Sequence, residues 1–213
     1  VSFDRFIRTT DADHLQFCLE FWKKVEASGD IYLGEYDGIY CSGCEGYLNK
    51  SDLIEGKCPY HPNQEPKIIK EKNYFFRLKG KYLDEVRHRI ERDEIKILPT
   101  ARKSEVLGLF RQGIEDFSVS REKVEWGIPL PFDQKQNTYV WVDALLNYIS
   151  AIGYGADEKK LNTWWPADVQ LMARDILKFH AVYWPALLLA AGLPTPKIIF
   201  AHGFFSINGQ KMS

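Results

Sequence analysis

Apolar residues along this chain change their spacing several times, and the changes divide it into alternating strands and helices. The clearest succession begins at Val169-Gln170-Leu171-Met172, a short apolar run that predicts a strand. From Arg174 to Ala191 the positions Ile176, Leu177, His180, Trp184, Leu187 and Leu188 take up helical spacing. Gly192, Pro194 and Pro196 stop that helix, and Lys197 to Ala201 predicts a second strand running into His202-Gly203. Strand, helix and strand in that order are half of a mononucleotide fold.

Upstream, Asp11-Ala12-Asp13 supplies N-cap chemistry and acidic charge for a helix through about Ala27, with Leu15, Cys18, Leu19, Trp22 and Val25 near one face. Ile31 to Tyr40 reads as a strand interrupted by Gly34 and Gly38, Tyr74-Phe75-Phe76 as another, and Lys81 to Glu91 as an amphipathic helix. Pro99 marks a boundary before a short helix from Ser104 to Arg111, and Trp126-Gly127-Ile128-Pro129 reads as a rigid loop. Asn137 to Val142 predicts a strand and Asp143 to Ile152 a helix closed by Gly153. That junction puts Trp141 and Tyr148 where both rings line one crevice at the carboxyl edge of a sheet. Two aromatic rings there make a slot for a flexible thioether, although core packing accounts for the same pattern.

Three of the four cysteines fall in one pattern. Cys41 and Cys44 are separated by two residues, thirteen residues follow, and Cys58 and His61 are again separated by two. Three thiolates and one imidazole at that spacing make a closed, tetrahedral, structural zinc site with no position left for water. A disulfide is the competing reading, but nothing in the sequence indicates secretion.

The chain has 213 residues, 45% of them hydrophobic, enough for one or two ordinary cores. With 28 basic and 29 acidic residues the formal net charge is -1, so a polyanion has to be met by a local patch. Lys67, Lys70, Lys72, Lys79, Lys81, Arg87 and Arg89 offer such a strip to RNA, or simply a solvated face. The long apolar stretch Ala181 to Leu193 contains Pro185 and falls short of the roughly 20 residues that span a bilayer. No targeting segment is visible, and a start at Val1 leads to the expectation that upstream sequence has been removed.

Together these stretches resemble the methionyl-tRNA synthetases, class I aminoacyl-tRNA synthetases, over essentially the whole chain. The resemblance is carried by Asp4-Arg5-Phe6-Ile7-Arg8-Thr9-Thr10-Asp11, the Cys41 to His61 knuckle, Asn73-Tyr74-Phe75-Phe76-Arg77-Leu78, Tyr139 to Tyr148, Asp175 to Pro185 and Lys211-Met212-Ser213. Ser118-Val119-Ser120-Arg121 and Trp126-Gly127-Ile128-Pro129 identify only the subgroup shared with the isoleucine, valine and leucine enzymes.

The resemblance implies an α/β fold: an incomplete, Rossmann-like parallel-sheet nucleotide-binding domain with an inserted zinc-binding connective-peptide domain. On that mapping residues 1–28 are the tail of the first half, 29–118 the insertion and 119–213 the second half. It also implies a cytoplasmic ligase whose partners are methionine, ATP with Mg2+ and tRNA(Met), and neither DNA nor a membrane. Trp141, Ala144, Leu145, Tyr148, Ile176 and His180 match positions that shape the methionine pocket. Asp175 matches the ribose contact, His202 and Gly203 the pair against which adenine packs, and Lys211 the catalytic loop that reaches the phosphates. The family's His-Ile-Gly-His signature falls ahead of Val1 and the second lysine of Lys-Met-Ser-Lys-Ser beyond Ser213, so this chain alone is expected to be inactive. Ala173-Arg174 stands where the family usually has Gly-Lys, a change that bears on ATP geometry. The readings set against this one are another synthetase of the subgroup and a non-catalytic, zinc-stabilised RNA-binding module.

Overall fold

The computed structural model describes residues 2–44, 46–48, 52–207 and 210–212, with the backbone alone at 36, 37, 46, 47, 210 and 211. It opens on α1 (Ala12–Ala27), whose buried stripe is His14, Phe17, Cys18, Phe21, Trp22 and Val25. The stripe differs from the sequence reading: Leu15 is 42% exposed, and the polar His14 takes a core position. Asp11 precedes the helix without capping it, because its carboxylate accepts the Arg8 N–H at 3.1 Å.

Next come β1 (Ile31–Cys41), β2 (Gly46–Leu48) and β3 (Lys67–Phe76). β1 and β3 pair antiparallel from Ile31↔Phe76 out to Tyr40↔Lys67, and this long hairpin carries the cysteine–histidine segment at its far end. Helix α2 (Lys81–Glu91), strand β4 (Lys96–Leu98) and helix α3 (Thr100–Gln112) follow. The helix expected at Ser104 to Arg111 is thus longer, beginning directly after Pro99, whose missing N–H is no loss ahead of a helix.

β5 (Phe117–Ser118) adds to β3, closing a sheet of order β2-β1-β3-β5. β6 (Ser120–Arg121), β7 (Pro129–Leu130) and β8 (Asp133–Thr138) form a small antiparallel sheet that delivers the chain to α4 (Val140–Ser150). The strand expected at Asn137 to Val142 therefore ends at Thr138. The Tyr139 carbonyl already accepts the N–H groups of Val142 and Asp143 at 2.8 and 3.1 Å, so the β-branched pair Val140 and Val142 lies in the first helical turn. Trp141 is accordingly a helical residue, not a strand end.

After α5 (Glu158–Trp164) comes β9 (Gln170–Ala173). The helix expected at Arg174 to Ala191 is composite. It has a 3-10 turn at Arg174–Ile176, a π-helical segment at Phe179–Tyr183 and an α-helical end, α6 (Trp184–Ala190). Trp184 N–H bonds back to Phe179 O, and Pro185 has no N–H to close the next α-turn, which favours the wider loop. β10 (Ile198–His202) then runs parallel to β9 and to β4, and β11 (Ser206–Ile207) with β12 (Gln210–Lys211) forms a terminal hairpin.

The parallel sheet has order β4-β10-β9. Lys96–Leu98, inside the stretch 29–118 read as an insertion, is therefore one of its strands, held by Ile97↔Ile199 pairing. One core runs through all of this, from Phe21 and Trp22 of α1 through Phe76, Val86 and Ile97 to Leu146, Trp184 and Ile199. Each such side chain stabilises the fold by about 1.5–3 kcal/mol. No helix among the described residues is long and apolar enough to cross a membrane.

Candidate functional site

At the far end of the β1–β3 hairpin, Cys41, Cys44, Cys58 and His61 bring their ligand atoms within 4.8 Å of one another. Cys44 Sγ lies 3.5 Å from Cys58 Sγ, and the three sulfurs stand 3.7, 3.2 and 3.8 Å from His61 Nδ1. Ligands at bond lengths near 2.0–2.3 Å around a tetrahedral ion sit roughly 3.3–3.8 Å apart, so the four groups are spaced to hold a metal ion. Gly43 is required here: a Cβ on it would lie 2.5 Å from His61 Cδ2. Burial works to raise the Cys58 thiol, but His61, the Tyr60 backbone and the two neighbouring cysteines hold it down at about 7. Burial and then the Cys58 and Cys41 sulfurs push Cys44 up to about 12. A bound cation relieves that mutual repulsion.

The second cluster lies between α4 and the composite helix. Trp141 and Tyr148 are seven residues apart, two turns along one stripe of α4, with Ala144 between them. Trp141 stacks on Phe179, ring centroids 4.6 Å apart and planes at 20°. Tyr148 meets His180 edge to face, and its hydroxyl lies 2.9 Å from His180 Nε2. His180 Nδ1 lies 3.0 Å from the Ile176 carbonyl, which can only accept. The proton is therefore on Nδ1, and the Tyr148 O–H donates to Nε2. Burial lowers the His180 pKa from its ordinary 6.5, against the opposing pull of the Ile176 carbonyl, so the ring is neutral near pH 7. Burial likewise raises the Tyr148 hydroxyl. Of the six expected pocket residues, Trp141, Tyr148, His180 and the Ile176 carbonyl take part in these contacts and Ala144 lies on the same stripe of α4, whereas Leu145, 2% exposed, is part of the core. Phe179 was missed, and its only sequence signal is its place next to His180.

The third group stands at the carboxyl edge of the parallel sheet. The register His202↔Ala173 puts the ends of β9 and β10 side by side, with Asp175 and Gly203 just past them, both exposed. His202 Nδ1 donates to the Gly203 carbonyl at 2.6 Å. Arg174 reaches Glu105 of α3 at 3.6 Å and lies over the Phe204 ring at 6.0 Å. Tyr60, from the cysteine–histidine segment, borders a cavity of about 160 Å³ together with Glu105, Arg174 and Asp175. The Lys211 backbone pairs with Ser206, while its side chain lies outside the described residues.

The family described as tRNA synthetases class I (M) matches the chain in two overlapping segments, 1–65 and 61–213. A methionine–tRNA ligase of Clostridium acetobutylicum is 45% identical over 215 residues, covering 100% of this chain and 33% of the relative. The chloroplastic/mitochondrial methionine–tRNA ligase of Arabidopsis thaliana is 45% identical over 218 residues, covering 100% of this chain and 35% of the relative. The methionyl-tRNA synthetase of Mycobacterium tuberculosis, solved with bound methionyl-adenylate, superposes with a TM-score of 0.92 at 39% identity, covering 100% of this chain and 42% of that one. The chain thus spans about a third of the length of these curated relatives.

Proposed function

The chain belongs to the class I tRNA synthetases (M), and on that premise we propose that it is a fragment of the catalytic domain of a methionine–tRNA ligase. The parent enzyme joins methionine to ATP as methionyl-adenylate and passes it to tRNA(Met). The observation that carries this is the relay Tyr148–His180–Ile176 beside the Trp141–Phe179 stack. These half-buried aromatic rings with one fixed polar atom between them suit an unbranched thioether.

In this reading Trp141, Ala144, Tyr148, Ile176 and His180 enclose the side chain of methionine, and Leu145 backs them from the core. Asp175 accepts from the ribose, and His202 with Gly203 forms the ledge for adenine at the strand ends, where parallel sheets take nucleotides. No protein nucleophile is needed. The methionine carboxylate attacks the α-phosphate in line and pyrophosphate leaves, so these residues act by positioning and by charge. Lys211 supplies positive charge toward the phosphates of ATP, which carries its own Mg2+.

Residues 1–28 and 119–213 belong to the split nucleotide-binding domain and 29–118 to the connective insertion, with β4 returning to the parallel sheet. Cys41, Cys44, Cys58 and His61 hold a structural Zn2+ that fixes the knuckle and takes no part in the reaction.

Thermal denaturation of the whole enzyme tests the pocket. Methionine at 100 times its Kd stabilises by about 2.7 kcal/mol, and His180→Leu should abolish that gain. An equal gain with isoleucine would assign the cleft to a different amino acid.

A further inference from the structure

On the side of α4 away from the cleft, His14 of α1 is completely buried. Its Nε2 lies 2.7 Å from Asp143 Oδ1, and its Nδ1 lies 2.8 Å from Ser150 Oγ. Asp143 and Ser150 are seven residues apart, as are Trp141 and Tyr148. The two pairs are offset by two residues, roughly 200° around a helix, so one imidazole grips from behind the same two turns whose front carries the cleft.

A ring bonded at both nitrogens to one helix blocks both rotation and sliding of that helix. The neighbouring tether, Trp22 Nε1 donating to Thr138 Oγ1 at 2.9 Å, fixes only the entry into α4. Apolar side chains would fill this part of the core without desolvating a carboxylate, and a buried polar pair is kept where it sets register. Cys18 Sγ also lies 3.2 Å from His14 Nε2, and His14, Cys18 and Asp143 cluster as metal ligands do. The 2.7 Å contact, however, has hydrogen-bond length, whereas the knuckle's donors stand 3.2 to 3.8 Å apart.

We propose that His14 is a positioning residue for the amino-acid pocket: bonded to Asp143 and Ser150, it sets the rotation and height of α4 and so the placement of Trp141 and Tyr148 against Phe179 and His180. The inference rests on the methionine reading of that cleft.

The test is pyrophosphate exchange by the whole enzyme, comparing wild type with the paired variant His14→Leu/Asp143→Leu, which removes both polar partners and leaves no unpaired charge. Expected are a cooperative melt, a KM for methionine raised at least about tenfold and a KM for ATP within about twofold of wild type. Discrimination against an analogue one methylene shorter should fall with it. A folded variant with a lower Tm but unchanged methionine KM and discrimination overturns the proposal, since the cluster then serves stability alone. If the paired variant does not fold, Ser150→Ala decides: a rise of about threefold in methionine KM supports the proposal, and no change overturns it. Wild-type enzyme that fails to exchange with methionine overturns the functional reading, a result distinct from a variant that exchanges normally.

Discussion

Tyr148 donates a 2.9 Å hydrogen bond to Nε2 of His180, and that bond depends on the Ile176 carbonyl holding the proton on the other ring nitrogen. Three residues from two helices thus fix one tautomer between α4 and the composite helix. Replacing Tyr148 by Phe leaves the Nε2 lone pair buried without a donor, at a cost of about 1–2 kcal/mol. The methionine KM should rise roughly five- to thirtyfold while the ATP KM stays put, as steady-state exchange kinetics on the whole enzyme will report.

The neutral His180 makes stability depend on pH. Burial lowers its folded pKa below 6.5, so across that interval the unfolded chain binds more protons than the folded one. Its contribution is fully present above about 6.5 and is lost as pH falls through the folded value. Urea unfolding between about pH 5 and pH 8 should show stability declining on the acid side, with a shallower decline in His180→Gln.

Asp175 follows β9 at the sheet edge, where it borders the cavity shared with Tyr60, Glu105 and Arg174. Asp175→Asn should raise the ATP KM about tenfold or more and leave equilibrium methionine binding unchanged. Calorimetric titration of each substrate separates the two effects.

Removing metal from the whole enzyme should lower its Tm by at least about 5 °C and speed amide exchange at the knuckle end of the β1–β3 hairpin, because binding energy there is folding energy. Atomic absorption should give one zinc per chain, absent in Cys58→Ser. Unchanged melting after verified metal removal would contradict the structural role.

Much of this was legible in the sequence because spacing encodes it. The cysteine–histidine spacing and the two parallel strands, read to Met172 and Ala201 and found to end one residue later at Ala173 and His202, follow from local pattern alone. The misreadings share a cause, which is tertiary context. Leu15 looks like a core residue and His14 carries no signal of its own until α4 supplies Asp143 and Ser150. Val140 and Val142 look like strand until Tyr139 turns the backbone into α4. Lys96–Leu98 becomes a parallel strand only because Ile199, about a hundred residues later, comes to lie beside it. Phe179 and the π-helical segment that carries it have no local signature beyond Pro185.

On the proposed function, the group Trp141, Tyr148 and His180 selects methionine. Amino-acid-dependent exchange of pyrophosphate into ATP by the whole enzyme tests it most directly. Methionine should drive the exchange, with kcat/KM for isoleucine and cysteine lower by at least about a hundredfold. Exchange driven as well by isoleucine, or exchange with methionine that survives His180→Leu intact, would contradict it.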